Sequence, residues 1–225
     1  MRSDHSPAWT RRAVLAAGLS AAGALGRRGA CAAALPTTSG GPYGPFKMGL
    51  QSYSLRGIGP GGKPDLDRAL AETRELGLHY WESYPAHIPT VTDADAVAGY
   101  KKKCAAAGVT VLGYGVVRFT SDRDAGREVL DFARQMGIEY VSADPTPDSF
   151  DTLDKLVEEY GVNLGIHNHG PDDKAYGRLE QVQKAVEKWP VEIGACVDTG
   201  HVLRTGENPV DWIKALGPRV HDVHL

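Results

Sequence analysis

Five times along the chain an apolar helical pattern stops at a glycine and a β-rich run begins at once. The junctions are Leu76-Gly77-Leu78, Ala107-Gly108-Val109, Met136-Gly137-Ile138, Tyr160-Gly161-Val162 and Leu216-Gly217-Pro218. Glycine just past a helix end takes the left-handed conformation that turns the chain back into the next strand. The first four of these glycines lie 31, 29 and 24 residues apart, the length of a strand, a helix and two short loops. Helix starts agree. Leu66, Ala69, Leu70, Thr73 and Leu76 keep helical spacing after Asp65, and Val129, Leu130, Phe132, Ala133 and Met136 do so after Ser121-Asp122. Asn208-Pro209 opens a helix containing Val210, Ile213 and Leu216, with proline at a favoured first-turn position.

Strands are expected over residues 47–53, 79–84, 109–116, 138–144, 162–168, 192–198 and 220–225. Strands alternating with helices imply a parallel α/β sheet. Gly40-Gly41 and Gly61-Gly62 read as loop glycines, and no Gly-rich dinucleotide loop follows the first strand. A (β/α)8 barrel is therefore favoured over a doubly wound sheet. Such a barrel takes roughly 250 residues, and 191 follow residue 34. The expectation is about seven βα units, with the last unit of the barrel missing.

The chain is expected to divide into a leader (1–34), a linker (35–45) and the barrel (46–225). Arg11-Arg12 precedes an Ala/Gly-rich run, and Ala30, Ala32 and Ala34 offer small-residue cleavage sites. This is the pattern of a twin-arginine export signal, so a periplasmic or extracellular location is expected. The run is too short to span a bilayer, and no later segment reads as a membrane span. Without the leader's five Arg and one Asp, 20 basic and 27 acidic residues remain, a net charge of −7. Nothing forms a basic stripe, which disfavours a nucleic-acid partner. Cys104 and Cys196 read as two free buried thiols.

Chemistry concentrates in three stretches: Ile166-His167-Asn168-His169, Val197-Asp198-Thr199-Gly200-His201 and Val220-His221-Asp222-Val223-His224. Each ends an apolar run, and together they carry five imidazoles and two carboxylates, a metal-ligand density that packing rarely requires. In a barrel the C-terminal strand ends share one rim, with inward side chains alternating. His167 and His169 share parity, as do Asp222 and His224. Asp198 ends its strand, the Thr199-Gly200 turn lets His201 fold back over the mouth, and Glu82 ends the second strand. Asp222 lies one layer deeper, where a carboxylate orients a ligand. His221 and Asn168 are expected to point outward, Asn168 as a cap for neighbouring backbone. His79 and His87 flank the second strand and read as surface residues.

Asp198-Thr-Gly-His201 and His221-Asp-Val-His-Leu225, with looser agreement at Gln51-Ser-Tyr-Ser54, Trp81-Glu-Ser83 and Gly113-Tyr-Gly115, make residues 46–225 resemble the xylose isomerase-like TIM-barrel superfamily. Within it the chain is similar to the sugar phosphate isomerase/epimerase group, which also holds ketose 3-epimerases, inosose dehydratases and endonuclease IV. The resemblance implies a divalent cation, manganese first, with zinc, cobalt or iron as alternatives. Its ligands would be Asp198, His224 and, where the family usually has a strand-five Glu, His167; the family's strand-eight Glu would lie beyond Leu225. It further implies that Glu82 and His169 move protons and that His201 contacts substrate hydroxyls.

The implied activity is a metal-dependent sugar isomerase or epimerase working through an enediolate on a keto- or aldo-sugar. A lyase or hydratase on a keto-sugar or keto-glycoside is the alternative, and a non-catalytic carbohydrate-binding barrel the third reading. The implied partner is a small-molecule sugar, and homo-oligomerisation stays open.

Overall fold

The computed structural model describes residues 43–225, so the expected leader and most of the expected linker lie outside the described residues. Residues 46–225 form one compact unit. Its strands are β1 (Gly49–Gln51), β2 (Tyr80–Ser83), β3 (Thr110–Phe119), β4 (Tyr140–Pro145), β5 (Asn163–His167), β6 (Ile193–Asp198) and β7 (Val220–His224). They pair in sequence order, and every pairing is parallel. The helices are α1 (Leu66–Glu75), α2 (Ala94–Ala106), α3 (Arg123–Met136), α4 (Phe150–Tyr160), α5 (Leu179–Val186), α6 (Thr199–Arg204) and α7 (Pro209–Leu216).

The helix ends follow from side-chain chemistry. Asp65, Asp93, Asp122 and Asn208 each accept a hydrogen bond from a first-turn backbone N–H of α1, α2, α3 and α7, occupying donors that a helix cannot pair internally. Gly137 and Gly161 close α3 and α4 at φ of 80° and 66°, a region closed to most other residues. The core lies between the sheet and its helices. Trp81, Leu130, Phe132, Leu153, Leu156, Leu164 and Trp212 are at most 1 % exposed, and Trp81 donates its indole N–H to Thr73 Oγ1 on α1.

All seven expected strands are found, with two shifts. β1 is only three residues long because Gln51 Oε1 accepts from Tyr53 N at 2.7 Å and starts a 3₁₀ turn over Ser52–Leu55. β3 runs to Phe119, beyond the expected residue 116. A register shift between Tyr114 and Val117 lets Val117, Arg118 and Phe119 pair again with β4.

The sheet curls. Glu82 on β2 and His224 on β7 lie five strands apart in the pairing order, yet Glu82 Oε2 is 2.7 Å from His224 Nε2. Only a sheet bent toward a cylinder brings those two strands face to face. Two glycines of β3 make room inside it. A Cβ on Gly113 would lie 2.3 Å from the Tyr140 ring, and one on Gly115 would lie 2.1 Å from Ser142 Oγ.

Cys104 and Cys196 are free and buried. Burial pushes the Cys104 thiol up to about 11 and Cys196 higher still. The thiolate is the reactive form, so at neutral pH neither thiol should react with a maleimide until denaturant is added, as counted by mass spectrometry.

Candidate metal and active site at the barrel mouth

Strand register sets the site. His167 aligns with Cys196 and Cys196 with Asp222, while Asp198 aligns with His224 one step nearer the strand ends. At the mouth, His167 Nε2 lies 3.1 Å from His224 Nδ1 and 3.6 Å from Asp198 Oδ2, and His224 Nδ1 lies 3.8 Å from that same oxygen. Ligands about 2.1 Å from a shared ion stand about 3.0 Å apart in octahedral and about 3.4 Å apart in tetrahedral geometry. The three donors are thus close to what one cation requires, and they fit.

His224 is aimed by what lies beneath it. Its Nε2 faces Glu82 Oε2 at 2.7 Å and Asp222 Oδ2 at 3.3 Å. These carboxylates hold the proton on Nε2 and turn Nδ1 outward, as outer carboxylates do for metal-binding histidines. Glu82 is buried, and its other oxygen accepts from Ser142 Oγ. Burial opposes charge on His224, but hydrogen bonds to Asp222, Cys196 and Glu82 outweigh it and raise its affinity for protons far above the ordinary histidine range. His167 is less constrained. Its Nδ1 is buried without a hydrogen-bond partner among the described residues.

Asp198 serves the backbone and the mouth at once. Its Oδ1 accepts from His201 N at 2.7 Å and caps α6, leaving Oδ2 toward the imidazoles. Burial would raise its pKa, but the hydrogen bonds from His167 and the His201 backbone, with the charges of both rings, prevail and bring it to about 2. Asn168 grips the Asp198 backbone from both sides, donating to its carbonyl at 3.1 Å and accepting from its N–H at 2.9 Å.

The remaining imidazoles sit beside this group. The His169 ring is 4.6 Å from that of His167, and the His201 ring is 5.9 Å from both. Burial lowers the pKa of each below the usual 6.5, and the His167 charge adds to the effect. Arg204 Nη1 approaches His201 Nδ1 at 3.1 Å. The mouth opens into a cavity of about 810 Å³ lined in part by Gln51, Tyr53, Glu82, Tyr84, Tyr140 and His201, a size usual for small-molecule sites.

The sequence matches the family described as "Xylose isomerase-like TIM barrel" over residues 70–225. The chain belongs to the xylose isomerase-like TIM barrels. A 79-residue stretch is 30 % identical to an inosose dehydratase of Bacillus anthracis (strain CDC 684 / NRRL 3495), covering 35 % of this chain and 26 % of that enzyme. The chain thus matches about a quarter of the dehydratase's length. Among solved structures, an uncharacterized protein from Parabacteroides distasonis ATCC 8503 superposes with a TM-score of 0.66 at 24 % identity, over 80 % of this chain and 74 % of the other. A D-psicose 3-epimerase structure with D-fructose gives 0.60 at 14 % identity, over 71 % and 67 %. At these identities the likeness is one of fold.

This xylose isomerase-like barrel brings His167, His169, Asp198, His201 and His224 to one mouth, with Glu82 meeting His224 just below. One sequence expectation fails. His87 is not a surface residue but 4 % exposed, stacked on Trp81 at 6.0 Å, with Nδ1 3.1 Å from Ser52 Oγ. The loop after β2 folds back over the strand end, which local polarity could not announce. Three participants were missed. Cys196 Sγ lies 3.5 Å from His224 Nε2, Ser142 holds Glu82, and the half-buried Tyr140 phenol feels Glu82 and Asp222. Their inward parity on β4 and β6 was the available signal.

Proposed function

We propose that the chain is a divalent-metal-dependent sugar isomerase or epimerase, moving a proton at a carbon next to a carbonyl. The observation that carries this reading is the convergence of His167 Nε2, Asp198 Oδ2 and His224 Nδ1 within 3.1–3.8 Å at the mouth. A bound cation would supply Lewis-acid stabilisation of the negative charge on an enediolate. Mixed imidazole and carboxylate donors suit manganese, iron, cobalt or zinc. Fold likeness to a D-psicose 3-epimerase supports the reading.

Both Glu82 oxygens are engaged, by Ser142 and by His224. We therefore give Glu82 the task of positioning His224 and leave proton transfer to His169, which stays neutral at pH 7. A neutral imidazole at the rim can take a carbon-bound proton and return it. His201, fixed by the cap of α6, orients a sugar hydroxyl. His169→Gln should lower kcat by about 10²–10⁴-fold with cation affinity unchanged, measured by steady-state kinetics and calorimetry. Because the His169 pKa is depressed, the acid limb of kcat/KM in the parent protein should fall below pH 6.5.

The dehydratase match favours a second reading. The same enediolate can expel a β-hydroxyl as water instead of being reprotonated. Incubating the chain with Mn²⁺ and keto-sugars or keto-polyols in D₂O separates the two. Deuterium gained without loss of water supports isomerisation or epimerisation, and loss of water supports dehydration. Absence of both leaves a carbohydrate-binding barrel. Arg11-Arg12 and the Ala-rich run behind them support export of the protein.

A further inference from the structure

His224 presents two nitrogens to two different groups of donors. Nδ1 faces the mouth. Nε2 faces inward to Glu82 Oε2 at 2.7 Å, Asp222 Oδ2 at 3.3 Å and Cys196 Sγ at 3.5 Å, and Cys196 Sγ is 3.8 Å from Asp222 Oδ2. All four donor atoms lie within 4.8 Å of one another. We infer that Cys196, Asp222, His224 Nε2 and Glu82 form a second, interior cation site selective for a thiophilic ion such as Zn²⁺.

The spacing supports this. Around an ion with bonds of about 2.0–2.3 Å to nitrogen, oxygen and sulfur, tetrahedral edges run about 3.3–3.8 Å. The 3.3, 3.5 and 3.8 Å separations already match those edges. Of these four separations, the Glu82–His224 hydrogen bond is the one that must lengthen, by roughly 0.7 Å. The donors come from three strands, β2, β6 and β7, so the backbone holds them in place without an ion. Cys196 is fully buried and Glu82 nearly so, while Glu82, Asp222 and His224 line the cavity through which an ion would enter.

Donor chemistry divides the two sites. A thiolate draws zinc, cadmium or cobalt far more strongly than manganese, whereas the three mouth donors of His167, Asp198 and His224 are imidazole and carboxylate. The sites share His224 and compete for it. An ion at Nε2 displaces the proton that Glu82 and Asp222 accept when Nδ1 alone binds metal, so Zn²⁺ inside weakens Mn²⁺ binding at the mouth.

Cobalt reports directly on the thiolate. Co²⁺ added to the metal-free full chain should produce the intense near-ultraviolet sulfur-to-cobalt charge-transfer band, rising to one equivalent. The band should vanish in Cys196→Ser and persist in Asp198→Asn, whose defect lies at the mouth. No band in the parent chain, or a band that survives Cys196→Ser, overturns the interior site. Should Cys196→Ser fail to fold by circular dichroism, Asp222→Asn keeps the thiol and gives the decision. A Co²⁺ affinity at least tenfold weaker by the same band upholds the site, and an unchanged affinity rejects it. Failure of the mouth site shows separately, as Mn²⁺ affinity that Asp198→Asn does not alter.

Discussion

Asp198→Asn should weaken divalent-cation binding at the mouth by roughly 100-fold or more, about 2.7 kcal/mol, while the protein still unfolds as one cooperative unit. The substitution removes the only carboxylate among the three mouth donors but keeps an oxygen on the cap. Asn is as good a helix N-cap as Asp, so the bond from Asp198 Oδ1 to His201 N has a direct replacement, and α6 should start where it does now. Asp198→Ala, which loses the cap too, should cost a further ~0.5–2 kcal/mol of stability. Calorimetric Mn²⁺ titration and thermal melts of both variants separate the two effects. Acid gives a second check. The Asp198 carboxyl is depressed to about 2 from 3.8, so its stabilising contribution is present above 3.8 and lost as pH falls through 2. The stability difference between parent and Asp198→Asn should close over that interval. A difference that persists well below pH 2 would mean the charge of Asp198 is not what the fold uses.

Gly113→Ala should destabilise the protein by about 1–3 kcal/mol, although it adds a single methyl group. That methyl would stand 2.3–2.5 Å from the Cζ, Oη and Cε2 atoms of Tyr140, so the ring must leave its place. The ring occupies the interior beside Asp222 and Glu82, and its displacement should also disturb the carboxylates that aim His224. The double variant Gly113→Ala/Tyr140→Ala should show a coupling of about 0.5–3 kcal/mol in a urea-denaturation cycle, because the second change removes the clash made by the first. Strict additivity would show that the ring had room to move.

The fold was legible because its signals are local. Each helix-ending glycine and each Asp or Asn cap acts within one turn, and parity along a strand follows from the pleat. His167, Asp198 and His224 could therefore be placed at one mouth once a barrel was inferred. What stayed hidden depends on contacts between distant segments. Cys196 reads as an ordinary core residue until β7 lies beside β6. His87 reads as a loop residue until the loop closes over Trp81. Ser142 is unremarkable in sequence, and its link to a carboxylate sixty residues away leaves no local mark.

The chain of bonds from Ser142 through Glu82 to His224 crosses the hollow, joining β4 to β2 and β2 to β7. It acts as a tie rod, holding the arc of the sheet at one diameter. Whatever takes hold of His224 therefore pulls on the curvature itself. Occupancy at the rim and the tightness of the whole cylinder become a single mechanical quantity.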